Sequence, residues 1–316
     1  LQEAVMSEEK TAPVKIRDIR SPEDFADEKW EEGIVRYDGK LYRYNIAVQN
    51  YLFMGIDNDD TAGPAQDGIS GGQSDAMFLL CLNEDKKKIS VIAINRNTMV
   101  PVDVYDRDGN FLVQMDLQIC LQHGYGDGMK LSCMRSVEAV DRLLHNVPIS
   151  GYIALNMGGI AAVNDAVGGI ELTPIETVER DDIVIEKDVP VMLDGPKAYA
   201  YLRTRDVDKF ASANDRLERQ KQYITEYIKK LIADPSLGNS LYTAGKEYIV
   251  ASIDIPKLVR SASDMTFDDG SLYTIEGETE FRDDYEQYRV DDDKLIRLIL
   301  KVFYEEVSHP DDQPPS

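Results

Sequence analysis

Three short apolar runs, separated by polar breaks, constrain this 316-residue chain more than any other feature. They are Tyr51-Leu52-Phe53-Met54-Gly55-Ile56, Ala76-Met77-Phe78-Leu79-Leu80-Cys81-Leu82 and residues 89–94. Runs of this length without polar alternation read as strands buried on both faces, and such strands require covering layers. Helical periodicity supplies the cover. Residues 132–144 place apolar side chains at i, i+3/i+4 and i+7, with Ser132 standing as a cap. Residues 157–167 read as a helix closed by Gly168-Gly169, and helices are expected at 197–203, 215–233 and 295–307. Strands are expected at 152–155 and at 170–172, the latter ended by Pro174. Two alternating runs around Asp38-Gly39 form a hairpin signal over residues 33–44. The expectation is an α/β fold: one domain over 46–308, with a mixed central sheet covered by helices. A polar arm and hairpin over 1–45 precede it, and a disordered tail over 309–316 follows.

Composition narrows the function. The chain carries 58 acidic against 35 basic residues, a formal charge of −23. A nucleic-acid binder needs a basic face to neutralise phosphates, so no nucleic-acid partner is expected. Any phosphate site must be a local cationic pocket. No run of about 18 apolar residues exists, so no membrane span is expected within the chain. Leu1-Gln2-Glu3-Ala4 reads as the start of a trimmed or mature chain. Cys81, Cys120 and Cys133 lack metal-like spacing and read as buried thiols, and the three histidines are scattered.

Chemistry concentrates at strand ends. Asp57 closes one buried strand and Asp75 opens the next, so the loop between them returns both to one sheet edge. Two such hard oxygen ligands suit Mg²⁺, which takes one or two carboxylates plus substrate phosphate. Arg96 follows a strand's carboxyl end, where α/β folds place ligand groups. Arg203 and Arg205 stand two apart, and Arg216, Arg219 and Gln220 share one helical stretch. Guanidinium forks suit diphosphate oxygens. Taken singly, these residues equally fit solvated loop acids and ordinary surface arginines. No phosphate-binding glycine loop and no GxSxG nucleophile elbow is present.

In combination the segments resemble the LytR–CpsA–Psr family of Gram-positive cell-wall glycopolymer transferases. The matching blocks begin with Tyr51-Leu52-Phe53-Met54-Gly55-Ile56-Asp57, Gly72-Gln73-Ser74-Asp75-Ala76-Met77 and Ala93-Ile94-Asn95-Arg96-Asn97-Thr98. They continue with Asp165-Ala166-Val167-Gly168-Gly169-Ile170, then residues 193–205 ending Tyr201-Leu202-Arg203-Thr204-Arg205, then Arg216-Leu217-Glu218-Arg219-Gln220. The resemblance extends over roughly residues 46–307. It implies a phosphotransferase that moves a glycan from a polyprenyl-diphosphate carrier to peptidoglycan, through a phosphodiester at a muramic acid hydroxyl. It implies Mg²⁺ on Asp57 and Asp75, and a diphosphate clamp of Arg96, Arg203, Arg205, Arg216, Arg219 and Gln220. Asp75, Arg96, Arg203 and Arg205 would act in catalysis, Asp75 also as proton acceptor. A lipid channel between sheet and helices, a membrane anchor preceding Leu1 and a place on the outer face of the cytoplasmic membrane are implied as well.

The chain departs from the family at several positions. Gln73 replaces an arginine, Asn97 replaces an aspartate, and Gln118-Ile119-Cys120 stands where Lys-Ile-Asn is common. A hydrolase of the same donor and a non-catalytic polyprenyl-phosphate-binding module stay open as alternatives.

Overall fold

The computed structural model describes residues 16–19, 21–26, 33–206 and 208–307. The tail at 309–316 and most of the N-terminal arm lie outside the described residues. The three apolar runs become adjacent strands. Val48–Ile56 pairs antiparallel with Ser74–Asn83, which pairs antiparallel with Lys88–Ile94. Gly151–Asn156 joins Val48–Ile56 in parallel, and Ile249–Ala251 and Leu272–Thr274 complete a six-stranded mixed sheet.

Alternation along each strand feeds two layers. Met77, Leu79 and Cys81 pack with Cys133 and Val140 of helix Lys130–Leu143 and with Ile296 and Ile299 of helix Asp292–Phe303. Phe78 and Leu82 belong to the other layer, with Leu217 of helix Ser212–Ala233 and Ala262 of helix Ile255–Ala262. Each fully buried side chain of this size contributes roughly 1.5–3 kcal/mol. A further cluster gathers Val163, Tyr201, Tyr223 and Leu241. The three cysteines are free and buried.

Several elements differ from the sequence expectation. Helix Lys130–Leu143 starts before Ser132, whose hydroxyl instead accepts from the Gly128 N–H at 2.8 Å. The expected helix over 295–307 ends at Phe303. Tyr304–Val307 turns into a strand against Lys40–Tyr44, because pairing with the 34–44 hairpin offers its backbone a ladder. That hairpin turns at Asp38 and Gly39, both at positive φ, as a two-residue turn demands. Two hairpins were not foreseen. One pairs Met99–Tyr105 with Phe111–Gln118, the other Gly277–Arg282 with Tyr285–Val290.

Candidate functional site

The carboxyl end of the central sheet assembles the predicted residues. The Asp57 N–H donates to the Gln73 carbonyl at 2.9 Å, extending the strand pair past Ile56, so both aspartates flank one edge. Asp75 is 7 % exposed and lies between two arginines. Arg216, near the start of its long helix, donates to Asp75 Oδ2 at 2.9 Å, and Arg96 Nη1 pairs with Asp75 Oδ1 at 2.9 Å. Arg96 also donates to the Gln73 side-chain oxygen and to Cys120 Sγ at 3.1 Å. Two departures from the family pattern thus act as acceptors for one guanidinium.

Arg203 ends helix Gly195–Arg203, whose start is capped by Asp194 accepting from the Lys197 N–H. Its two amino groups reach Asp57 at 3.0 Å and Asp59 at 2.6 Å, and Tyr199 adds a hydroxyl to the same group. The Arg205 side chain lines the pocket that Arg96 also lines, and pairs with no carboxylate among the described residues. Gln220 is buried and donates to the Leu202 carbonyl at 3.4 Å.

Arg219 departs from its expected role. It is buried against Glu176 at 2.7 Å, donates to the Thr204 carbonyl and lies over the Tyr201 ring. Those contacts occupy its fork, so it braces the segment that carries Arg205 instead of joining the cluster.

Electrostatics leave the cluster receptive to an anion. Burial depresses the pKa of Arg216, Asp75 opposes that shift, and Arg96 and Arg205 add to it by repulsion. One carboxylate among crowded guanidiniums leaves positive charge that an incoming anion can neutralise.

Beside this cluster runs a cavity of about 220 Å³ between the sheet and helices Ser212–Ala233 and Ile255–Ala262. Phe53, Phe78, Val91, Ile153 and Ile228 are among its walls, while Arg203 and Gln220 sit where it meets the polar cluster. The arrangement can hold an amphiphile with an apolar chain and an anionic head.

The expected metal pair takes a different form. Asp57 faces Arg203, Asp75 faces Arg96 and Arg216, and the described residues contain no group of three or more metal-ligating side chains. The donor chemistry nevertheless fits Mg²⁺. Asp75 Oδ1 is a buried oxygen whose one close partner, Arg96 Nη1, meets it as an ion pair without hydrogen-bond alignment, and both carboxylates act electrostatically on Arg96. Phosphate oxygens and water commonly complete such a shell.

Phe210, Phe281, Tyr285 and Glu286 escaped sequence reasoning. With Asn97 and Gln118, two of the departures from the family pattern, they line a polar pocket that Arg96 and Arg205 also line. Phe281 and Glu286 lie far along the chain on a hairpin that carries no motif, so only the fold brings them to the site.

The α/β scaffold thus sets an apolar cavity beside a buried arginine–carboxylate cluster. Residues 23–299 match the LytR_cpsA_psr family, and the chain belongs to that family. It is 26 % identical over 254 residues to the polyisoprenyl-teichoic acid–peptidoglycan teichoic acid transferase TagU of Enterococcus faecalis, covering 78 % of this chain and 76 % of that protein. TagV of Bacillus subtilis, which bears the same transferase name, is 28 % identical over 186 residues, covering 57 % of this chain and 43 % of that protein. The crystal structure of B. subtilis TagV superposes with a TM-score of 0.62 at 22 % identity, covering 82 % of this chain and 96 % of that one. A structure of TagT bound to LI-WTA gives 0.59 at 18 % identity, covering 81 % and 90 %. At these identities the structural likeness is one of fold. It agrees with the expected mixed sheet flanked by helices.

Proposed function

We propose that this protein is a phosphotransferase that moves a glycan phosphate from a polyprenyl-diphosphate carrier to peptidoglycan. The observation that carries the reading is the junction of two environments at Arg203 and Gln220: apolar cavity on one side, arginine cluster on the other. A polyprenyl diphosphate has the matching polarity, tail in the cavity and phosphates on the cluster. The relatives' transferase names support the same direction.

Phosphoryl transfer needs little covalent help from the protein; it needs charge neutralisation and alignment. Arg96, Arg203, Arg205 and Arg216 bind and orient the diphosphate oxygens in this reading, and Gln220 donates at the lipid side. Asp57 and Asp75 would hold Mg²⁺, which supplies further neutralisation of the diphosphate. Walls of the cavity exclude water from the lipid phosphate. The reaction belongs at the outer face of the cytoplasmic membrane, where lipid-linked donor and peptidoglycan meet. The described residues contain no helix long and apolar enough to cross a membrane.

Calorimetry with a short isoprenoid diphosphate, with Mg²⁺ and with chelator, tests the reading. Wild type is expected to bind in a Mg²⁺-dependent manner. Val91→Trp, which fills the cavity, is expected to lose the isoprenoid ligand while keeping inorganic diphosphate. Equal binding of both ligands by both proteins would sink the assignment of the lipid to this cavity. Product analysis with and without soluble peptidoglycan fragments then separates transfer from hydrolysis.

A further inference from the structure

The polar pocket of about 440 Å³ shares Arg96 and Arg205 with the diphosphate clamp and adds Phe210, Phe281 and Glu286, to which the clamp assigns no role. Its volume falls within the range of small-molecule sites, roughly 300–1,000 Å³. Phe281 and Glu286 are direct cross-strand partners in the hairpin, so both side chains leave the same face. Phe281 is 67 % exposed and Phe210, also on the lining, 56 %. Two large aromatic rings held open to solvent in a pocket with hydrogen-bonding walls suit a sugar, which offers an apolar C–H face and a rim of hydroxyls.

Glu286 is held firmly in place. Its Oε1 accepts from the Ala211 N–H at 2.7 Å, and its Oε2 accepts from Asn97 Nδ2 at 3.3 Å. Asn97 Oδ1 in turn accepts from Gln118 Nε2 at 3.1 Å, and the same Gln118 group donates to the Glu286 carbonyl at 2.7 Å. The Tyr288 N–H donates to the Asn97 carbonyl at 2.9 Å, pinning the hairpin to the strand exit that carries Arg96. Ala211 adopts φ 59°, a left-handed conformation that turns its N–H to this carboxylate. Glu286 has no ion-pair partner among the described residues, whereas Asp75 lies between Arg96 and Arg216. Each carboxylate oxygen can accept more than one hydrogen bond, so Glu286 retains acceptor capacity for a hydroxyl beside its contacts to Ala211 and Asn97.

We propose that this pocket is the acceptor subsite of the transfer reaction: a saccharide ring seats against Phe281 and its attacking hydroxyl hydrogen-bonds to Glu286. The proposal rests on the transferase reading above. The hydroxyl oxygen forms a bond to the phosphorus that bears the glycan. The bond from that phosphorus to the bridging oxygen breaks, and its electron pair leaves on the polyprenyl phosphate. The hydroxyl proton passes to the Glu286 carboxylate and then to solvent. Within the pocket, Arg96 and Arg205 mark the side that meets the donor's phosphates, while the Glu286 carboxylate repels phosphate and accepts from a neutral hydroxyl.

The test pairs binding with turnover, using a disaccharide-peptide from peptidoglycan as acceptor and a short isoprenoid-diphosphate saccharide as donor. Phe281→Ala is expected to weaken acceptor binding by about three- to tenfold and to leave donor binding unchanged. Glu286→Gln is expected to lower kcat by about 10²-fold with acceptor KM, donor affinity and Tm preserved, and formate is expected to accelerate Glu286→Ala. Donor bound by wild type with no acceptor binding, donor affinity falling in Phe281→Ala, or a wild-type kcat in Glu286→Gln would each overturn the subsite. Wild type that binds no donor would instead overturn the transferase reading on which it rests.

Discussion

Asp75 and its two arginines separate structural charge from binding charge. Arg216 and Asp75 are both almost wholly buried, so removing either partner leaves an uncompensated charge where water cannot reach it. Breaking such a pair costs about 3–5 kcal/mol; because Arg96 still faces Asp75, Arg216→Ala is expected at the lower end, about 3 kcal/mol by urea denaturation. Arg203 is partly exposed and pairs with still more exposed aspartates, so its pairs contribute at most about 1 kcal/mol. Arg203→Ala is therefore expected to change stability little while weakening isoprenoid diphosphate binding at least about tenfold. Unaltered binding would show that the remaining arginines suffice. The residues of this cluster were legible because they fall in the blocks that resemble the family, in the same order. Their pairing was not: spacing cannot tell that Asp75 faces two guanidiniums, nor that Glu176 and the Thr204 carbonyl hold Arg219.

Among elements, the loop joining the first two central strands is anchored by a buried histidine. His123 Nδ1 lies 3.0 Å from the Gly72 carbonyl, and its Nε2 faces Cys133 Sγ. A bond to a carbonyl requires the Nδ1–H tautomer, so the neutral ring suffices. Burial lowers the His123 pKa below its ordinary 6.5, with the Gly72 and Gly71 carbonyls and Asp127 opposing; burial lowers His145 likewise, against Asp292. The unfolded chain then binds protons more readily than the folded one as pH drops below about 6.5. Stability is thus complete above that value and declines as pH falls toward the folded-state values. Urea denaturation between pH 7.5 and about 5 is expected to show this decline, and His123→Gln to flatten it. An unchanged slope in the variant would remove His123 from the account. Local signals explain which elements could be foreseen. Asp38-Gly39 announces a two-residue turn, whereas Asp283 and Asp284 adopt the same positive φ without a glycine to advertise it. The helical period before residue 303 gave no hint that Tyr304–Val307 would pair with a strand near residue 40, because that choice is made by tertiary contact.

On the scale of the whole molecule, a chain of formal charge −23 encloses its arginines beside a low-dielectric cavity. The two layers of cover were legible from alternating strands and amphipathic helices, but the pocket walls were not, since they come from segments as distant as Arg96 and Glu286. The charge distribution has a kinetic consequence. An approaching diphosphate first meets a repulsive long-range field and only then the local arginines. Salt screens the first interaction strongly and the second weakly, because raising ionic strength from about 0.01 M to 0.15 M shortens the Debye length from roughly 30 Å to 8 Å. The association rate of isoprenoid diphosphate is therefore expected to rise at least about twofold over that range, and the dissociation rate to change less. Stopped-flow measurements at fixed Mg²⁺ read both. A rate that falls with salt, as at a basic surface, would mean that exposed cations guide the ligand and that the buried cluster is not its first point of attraction.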